Sequence, residues 1–174
     1  MRRLKNSNLQ LEINTANAFS SNCMDSNFKQ VLLNYLFSIP QLNEKQVSLL
    51  MHSIKKLKMP KYCVVAGIHY YIKCLDNSSN VYVKLCSALY LGYRLFHDHY
   101  VSIRYYAMLC KVDKHILIGY ENRILRLMNF DMHISTSHVN YVIKSMEMLG
   151  TQPTYRPMTP VTPIIDNSNG IVLR

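Results

Sequence analysis

Residues 81–98 read V-Y-V-K-L-C-S-A-L-Y-L-G-Y-R-L-F-H-D: apolar on nearly every face at helical length, then abruptly charged at Arg94. A helix with no polar face has to be surrounded by other elements, so the pattern predicts a helical bundle with this segment at its centre. Ser87, Ala88 and Gly92 lie near its middle, where small side chains let neighbouring helices approach closely. Arg94 suits the negative end of the helix dipole and places a forked donor group where core meets surface. Further on, Glu121 is the only carboxylate of a second strongly periodic helix. These two charges are the sharpest candidates for a shared site.

The flanking segments extend the helical pattern. Phe28, Val31, Leu32, Tyr35 and Leu36 keep one face of a helix that Pro40 stops. Asn43 and Gln46 have the spacing of a capping box, ahead of the stripe Val47, Leu50, Met51, Ile54 and Leu57. Pro60 closes that helix and opens the next, whose predicted buried side is Val64, Ile68, Tyr71, Ile72 and Leu75. The cluster from Asp76 to Asn80 is a turn. A short helix is expected from about Val101 to Leu109. Asp113 then caps a helix with the stripe Ile116, Leu117, Tyr120, Ile124, Leu125 and Met128. Ser135 to Ser137 caps the last, with Val139, Val142, Ile143, Met146 and Leu149 as its stripe and Gly150 as its end. No segment alternates with period two between hairpin turns. The expectation is an all-α bundle of about seven helices. Residues 1–26 form an Asn- and Ser-rich arm, 27–149 the folded domain, and 150–174 a Pro-rich, extended tail.

A chain of 174 residues can bury about 70% of its unfolded surface. Its hydrophobic content of 49% argues against global disorder. The formal charge of +10 suits an acidic partner, whether nucleic acid, anionic membrane or acidic protein. The only tight run, Lys55-Lys56-Leu57-Lys58, is read as a solvated helix end. Five widely spaced cysteines with no C-x-x-C indicate reduced, buried thiols and a nuclear or cytoplasmic setting. Neither a signal peptide nor an apolar run of membrane-spanning length is expected, so no membrane partner is.

Chemistry is hard to place. Carboxylates are scarce, the chain has five glycines, and no H-E-x-x-H, G-x-S-x-G or Gly-rich phosphate loop occurs. His97-Asp98-His99 is read as a polar turn ahead of a metal site. Cys86 and Cys110 sit in apolar stripes, where a thiol stays protonated and inert. The expectation is a protein without catalytic residues, metal or cofactor. Thirteen tyrosines offer stacking surfaces for nucleic acid, but packing explains Tyr70-Tyr71 and Tyr105-Tyr106 equally well.

Three segments together resemble a cyclin box, closest to the Pho80-like, or P/U-type, single-box cyclins. P-K-Y-C-V-V-A-G-I-H-Y-Y-I-K-C-L resembles the second helix of that box. V-K-L-C-S-A-L-Y-L-G-Y-R-L-F-H-D is similar to the third, central one. Y-E-N-R-I-L-R-L-M-N-F-D-M-H-I-S resembles the fifth helix and the short stretch after it, with Glu121 and Phe130 at the family's spacing. The resemblance spans about residues 43–135 and implies a cyclin-box five-helix bundle with an extra N-terminal helix and one C-terminal helix. It implies a non-catalytic regulatory subunit that binds and activates a cyclin-dependent kinase, Pho85-like or related. The family's kinase-gripping Lys-Glu pair corresponds to Arg94 and Glu121, and its apolar contacts to Leu95, Leu125, Phe130 and Met132.

This chain departs from the family in four places. Arg94 replaces Lys, Leu95 replaces Phe, and Phe96-His97 stands where acidic residues are common. The M-R-A-I-L substrate-docking patch is absent, with E-K-Q-V-S-L-L in its place, which argues against R-x-L recruitment. After Ser135 only one helix and a tail are expected, which fits a single box. Thr159-Pro160 and Thr162-Pro163 fit proline-directed phosphorylation by a bound kinase. The competing readings are a basic cyclin-fold adaptor for nucleic acid or transcription machinery, and a kinase-independent scaffold. For Arg94 and Glu121 the plain structural alternative is a salt bridge pinning two helices; for the four apolar residues it is ordinary core.

Overall fold

A computed structural model of the chain describes residues 24–74, 80–99 and 101–150. The described residues form seven α-helices and no strand: α1 (Ser26–Ser38), α2 (Glu44–Lys56), α3 (Lys61–Lys73), α4 (Val81–Phe96), α5 (Ile103–Cys110), α6 (Lys114–Leu127) and α7 (Thr136–Gly150). The fold is all-α, as the periodicity predicts.

Side chains start most of these helices. Asp25 accepts from the Phe28 N–H at 2.6 Å, so α1 begins inside the predicted N-terminal arm. Asn43 and Gln46 form the reciprocal capping box at 2.9 and 3.0 Å. Asn80, Ser102 and Asp113 cap α4, α5 and α6. Backbone N–H donors hold the Asp113 carboxyl below the usual carboxylate range. The Ser135 hydroxyl accepts from the His138 N–H at the start of α7.

The core is the antiparallel pair α3–α4. α4 is buried from Tyr82 to Tyr93, as the sequence demands. α3 is buried continuously from Cys63 to Tyr71, where its sequence predicted only a stripe. The reason is backbone proximity: a Cβ on Gly92 would lie 2.6 Å from the Cys63 carbonyl oxygen, and one on Gly67 2.6 Å from the Leu89 Cα. Two facing glycines bring the helix axes together, so both helices become interior. α6 packs on α4, α7 on α1 and α3, and α2 on α1 and α5. Ser87 ties α4 to α6 by donating to the Leu117 carbonyl at 3.3 Å as well as to Val83.

Two outer stripes differ from their expectation. On α6 the buried positions are Leu117, Glu121 and Ile124, and Ile116 is 50% exposed, because the face turned to α4 is centred on Glu121. On α7, Val142 and Met146 are buried while Leu149 is exposed at the helix end. Tyr70, Tyr71 and Tyr106 are core, and Tyr105 is exposed. Cys63, Cys74, Cys86 and Cys110 are buried free thiols, and burial pushes Cys63 up to about 12. Burial likewise raises Cys86, as the reading of inert thiols expects, whereas hydrogen bonding, first of all from Cys86, pulls the Cys110 thiol below its ordinary value against that expectation. Leu75, Thr159 and Thr162 fall outside the described residues.

Three helices end in the same left-handed turn. Lys58, Lys111 and Asn129 have φ of 49°, 54° and 50°. The N–H of the next residue returns to the carbonyl five back in each case: Met59 to Ile54, Val112 to Ala107, Phe130 to Leu125. This is the Schellman closure, which glycine usually provides. Each non-glycine residue there costs about 1 kcal/mol. Phe130 is itself left-handed, with φ of 59°.

Candidate functional site

The two charges singled out in the sequence meet. Arg94 Nη1 donates to Glu121 Oε1 at 2.6 Å, joining the last turn of α4 to the middle of α6. The pair is asymmetric: the Glu121 side chain is 7% exposed and that of Arg94 49%. Arg94 also leans over the Tyr90 ring one turn back, 5.9 Å from its centroid. Burial pushes the Glu121 carboxyl above its ordinary range, and the guanidinium beside it pulls the other way. A carboxylate is therefore held in the protein's surface layer by a cation that still faces water.

The apolar candidates differ in exposure. Leu95 follows Arg94 and is 46% exposed; Phe130 is 69% exposed. Neither is ordinary core. Leu125 lies one turn beyond Glu121 and is half-buried, as is Met132. Tyr70 on α3 donates its hydroxyl to the Met132 carbonyl at 2.8 Å, fixing the segment after α6 against the core. Phe130 is thus displayed on a tight, left-handed backbone between two anchored points.

A cavity of about 280 Å³ that sequence reasoning did not anticipate opens at the same end of α4. Tyr62, Ala66, Phe96, Ile134 and Val139 line it. The Tyr62 hydroxyl donates to the Phe96 carbonyl at 2.8 Å across α3 and α4. The available signal was Phe96, a second large apolar residue beyond the break at Arg94. Among the described residues no group of three His, Cys, Asp or Glu side chains can hold a metal. In the His97-Asp98-His99 turn, His97 Nδ1 accepts from the His99 N–H at 3.0 Å and its ring stacks on Tyr93. No helix of the described residues is long and apolar enough to cross a membrane.

No protein-family model matches this chain, and no curated protein or solved structure is detectably similar to it.

Proposed function

We propose that this protein is a cyclin-like regulatory subunit, built around a cyclin box, that binds and activates a cyclin-dependent protein kinase. One observation carries the reading: a buried carboxylate paired at 2.6 Å with a half-exposed arginine, at the end of a buried helix and beside exposed apolar side chains. A pair meant only to pin two helices has no need of an exposed leucine next to Arg94 or of an exposed phenylalanine just past the end of α6. Arg94 spends one donor on Glu121 and, with half its surface open, keeps others of its five N–H groups for a carbonyl of the partner. Leu95, Leu125, Phe130 and Met132 then supply apolar area around a charge contact that becomes water-excluded on binding, the makeup of an interface hot spot. In this reading the kinase's mobile regulatory helix packs on these residues and is held in its active position.

The test is reconstitution. The wild-type protein should capture a proline-directed kinase and raise its activity in purified form, and Glu121→Lys should abolish both while remaining folded by circular dichroism. Recovery of nucleic acid with steep salt dependence, and of no kinase, would replace this reading with a basic adaptor. Recovery of neither would leave the pair as a structural strut.

A further inference from the structure

A second surface lies away from the Arg94 end. α2 packs on α5, with the buried Ser53 and Cys110 side chains as neighbours, so the last turns of the two helices lie side by side. The Tyr82 hydroxyl donates to the Cys110 carbonyl, so the end of α5 sits at the start of α4, about 18 Å of helical rise from Arg94.

Cations gather at this edge. Lys55 stands within one turn of Ser53, Lys58 closes α2, and Lys111 closes α5; all are exposed. Lys58 and Lys111 occupy left-handed positions that favour glycine, so the charge is kept against the backbone's preference. On the outer face of α5, Arg104, Met108 and Lys111 recur at helical spacing, with Met108 63% exposed between two cations. Counter-charge is scarce: α5 has no carboxylate, α2 has only Glu44 in its first turn, and Asp113 is engaged by the His115 and Ile116 N–H groups.

We propose that this edge docks an acidic, amphipathic protein segment. Its carboxylates meet Lys55, Lys58, Arg104 and Lys111, and its apolar residues cover Met108. The exposed methionine within the basic stripe favours a peptide, because an adaptable apolar side chain flanked by cations matches leucines flanked by carboxylates.

The test is fluorescence anisotropy with a labelled synthetic peptide bearing glutamates around two leucines at i and i+4. The double variant Lys58→Gly, Lys111→Gly should melt at a higher temperature, since both turns relax, yet bind the peptide about tenfold or more weakly. Met108→Ser should also weaken binding, and Arg94→Ala should leave it unchanged. Peptide binding indifferent to the double variant would overturn the proposal. So would tighter binding of a single-stranded oligonucleotide, or of anionic lipid vesicles, than of the peptide.

Discussion

Gly92 and Arg94 stand two residues apart on one helix and serve opposite ends. Around Gly92 the chain strips away side-chain atoms until two backbones touch; around Arg94 it adds a long, charged side chain and leaves it half open. The seam obtains stability from closeness alone. The rim keeps features that lower the stability of the isolated protein: a desolvated carboxylate, an exposed leucine, and a phenylalanine on a left-handed backbone. In the proposed reading the features at this rim are kept for a partner.

Variants can separate the two regions, and the seam should respond most. Gly92→Val drives its side chain into the Cys63 carbonyl and the Gly67 nitrogen, which no rotamer change relieves. It should cost about 4 kcal/mol or more in chemical denaturation, and a cost under about 1 kcal/mol would show that the seam yields.

Arg94→Ala should cost less, about 1–2 kcal/mol at neutral pH, because half of the guanidinium is already in water. The pH dependence is specific. Burial raises the folded-state pKa of Glu121 above its unfolded value. The stability this titration contributes is therefore full below the unfolded value, about 4.3, and is lost as pH rises through the folded one. Without Arg94 the folded value rises further, so the gap between variant and wild type should open with pH and close in acid. Denaturation midpoints across that range would check this; a constant gap would mean that Arg94 acts by packing.

Phe130→Gly should raise stability by about 1 kcal/mol by relaxing the left-handed turn, while weakening the proposed kinase complex. Loss of stability would instead place Phe130 among the residues that hold the fold. Gly119→Ala is the counterpart to Gly92: a Cβ there meets nothing within 4 Å on the exposed face of α6, so helix propensity should add up to about 1 kcal/mol. Glu121→Gln should change neutral-pH stability least, by about 0.5 kcal/mol or less, since it removes a desolvated charge but keeps an acceptor for Arg94. Kinase capture should nevertheless fall.

The central helix was legible because a segment apolar on every face has one place to go, and the capping box at Asn43 because local hydrogen bonds are written in local sequence. The Arg94–Glu121 pair had a sequence signal too, the charge that ends an apolar helix and the only carboxylate of a second periodic one. What escaped depended on distance between segments. Nothing local to Gly67 says that Gly92 faces it, so α3 read as a stripe when it is interior. The register of α6 shifted for a related reason. Glu121 counts as polar in any periodic pattern, yet it lies on the buried face because Arg94 reaches it there. The cavity beside Phe96 is assembled from four separate segments and has no signature in any one of them.

Five tyrosine hydroxyls donate to main-chain carbonyls on other elements: Tyr62 to Phe96, Tyr70 to Met132, Tyr82 to Cys110, Tyr90 to Val101 and Tyr106 to Cys86. Three of these stitch α5 and its approach to α4. An eight-residue helix is too short to persist alone in water. Fastened in this way, α5 should open to solvent deuterium only when α4 does, so that a surface helix carries the slow amide exchange of the innermost one.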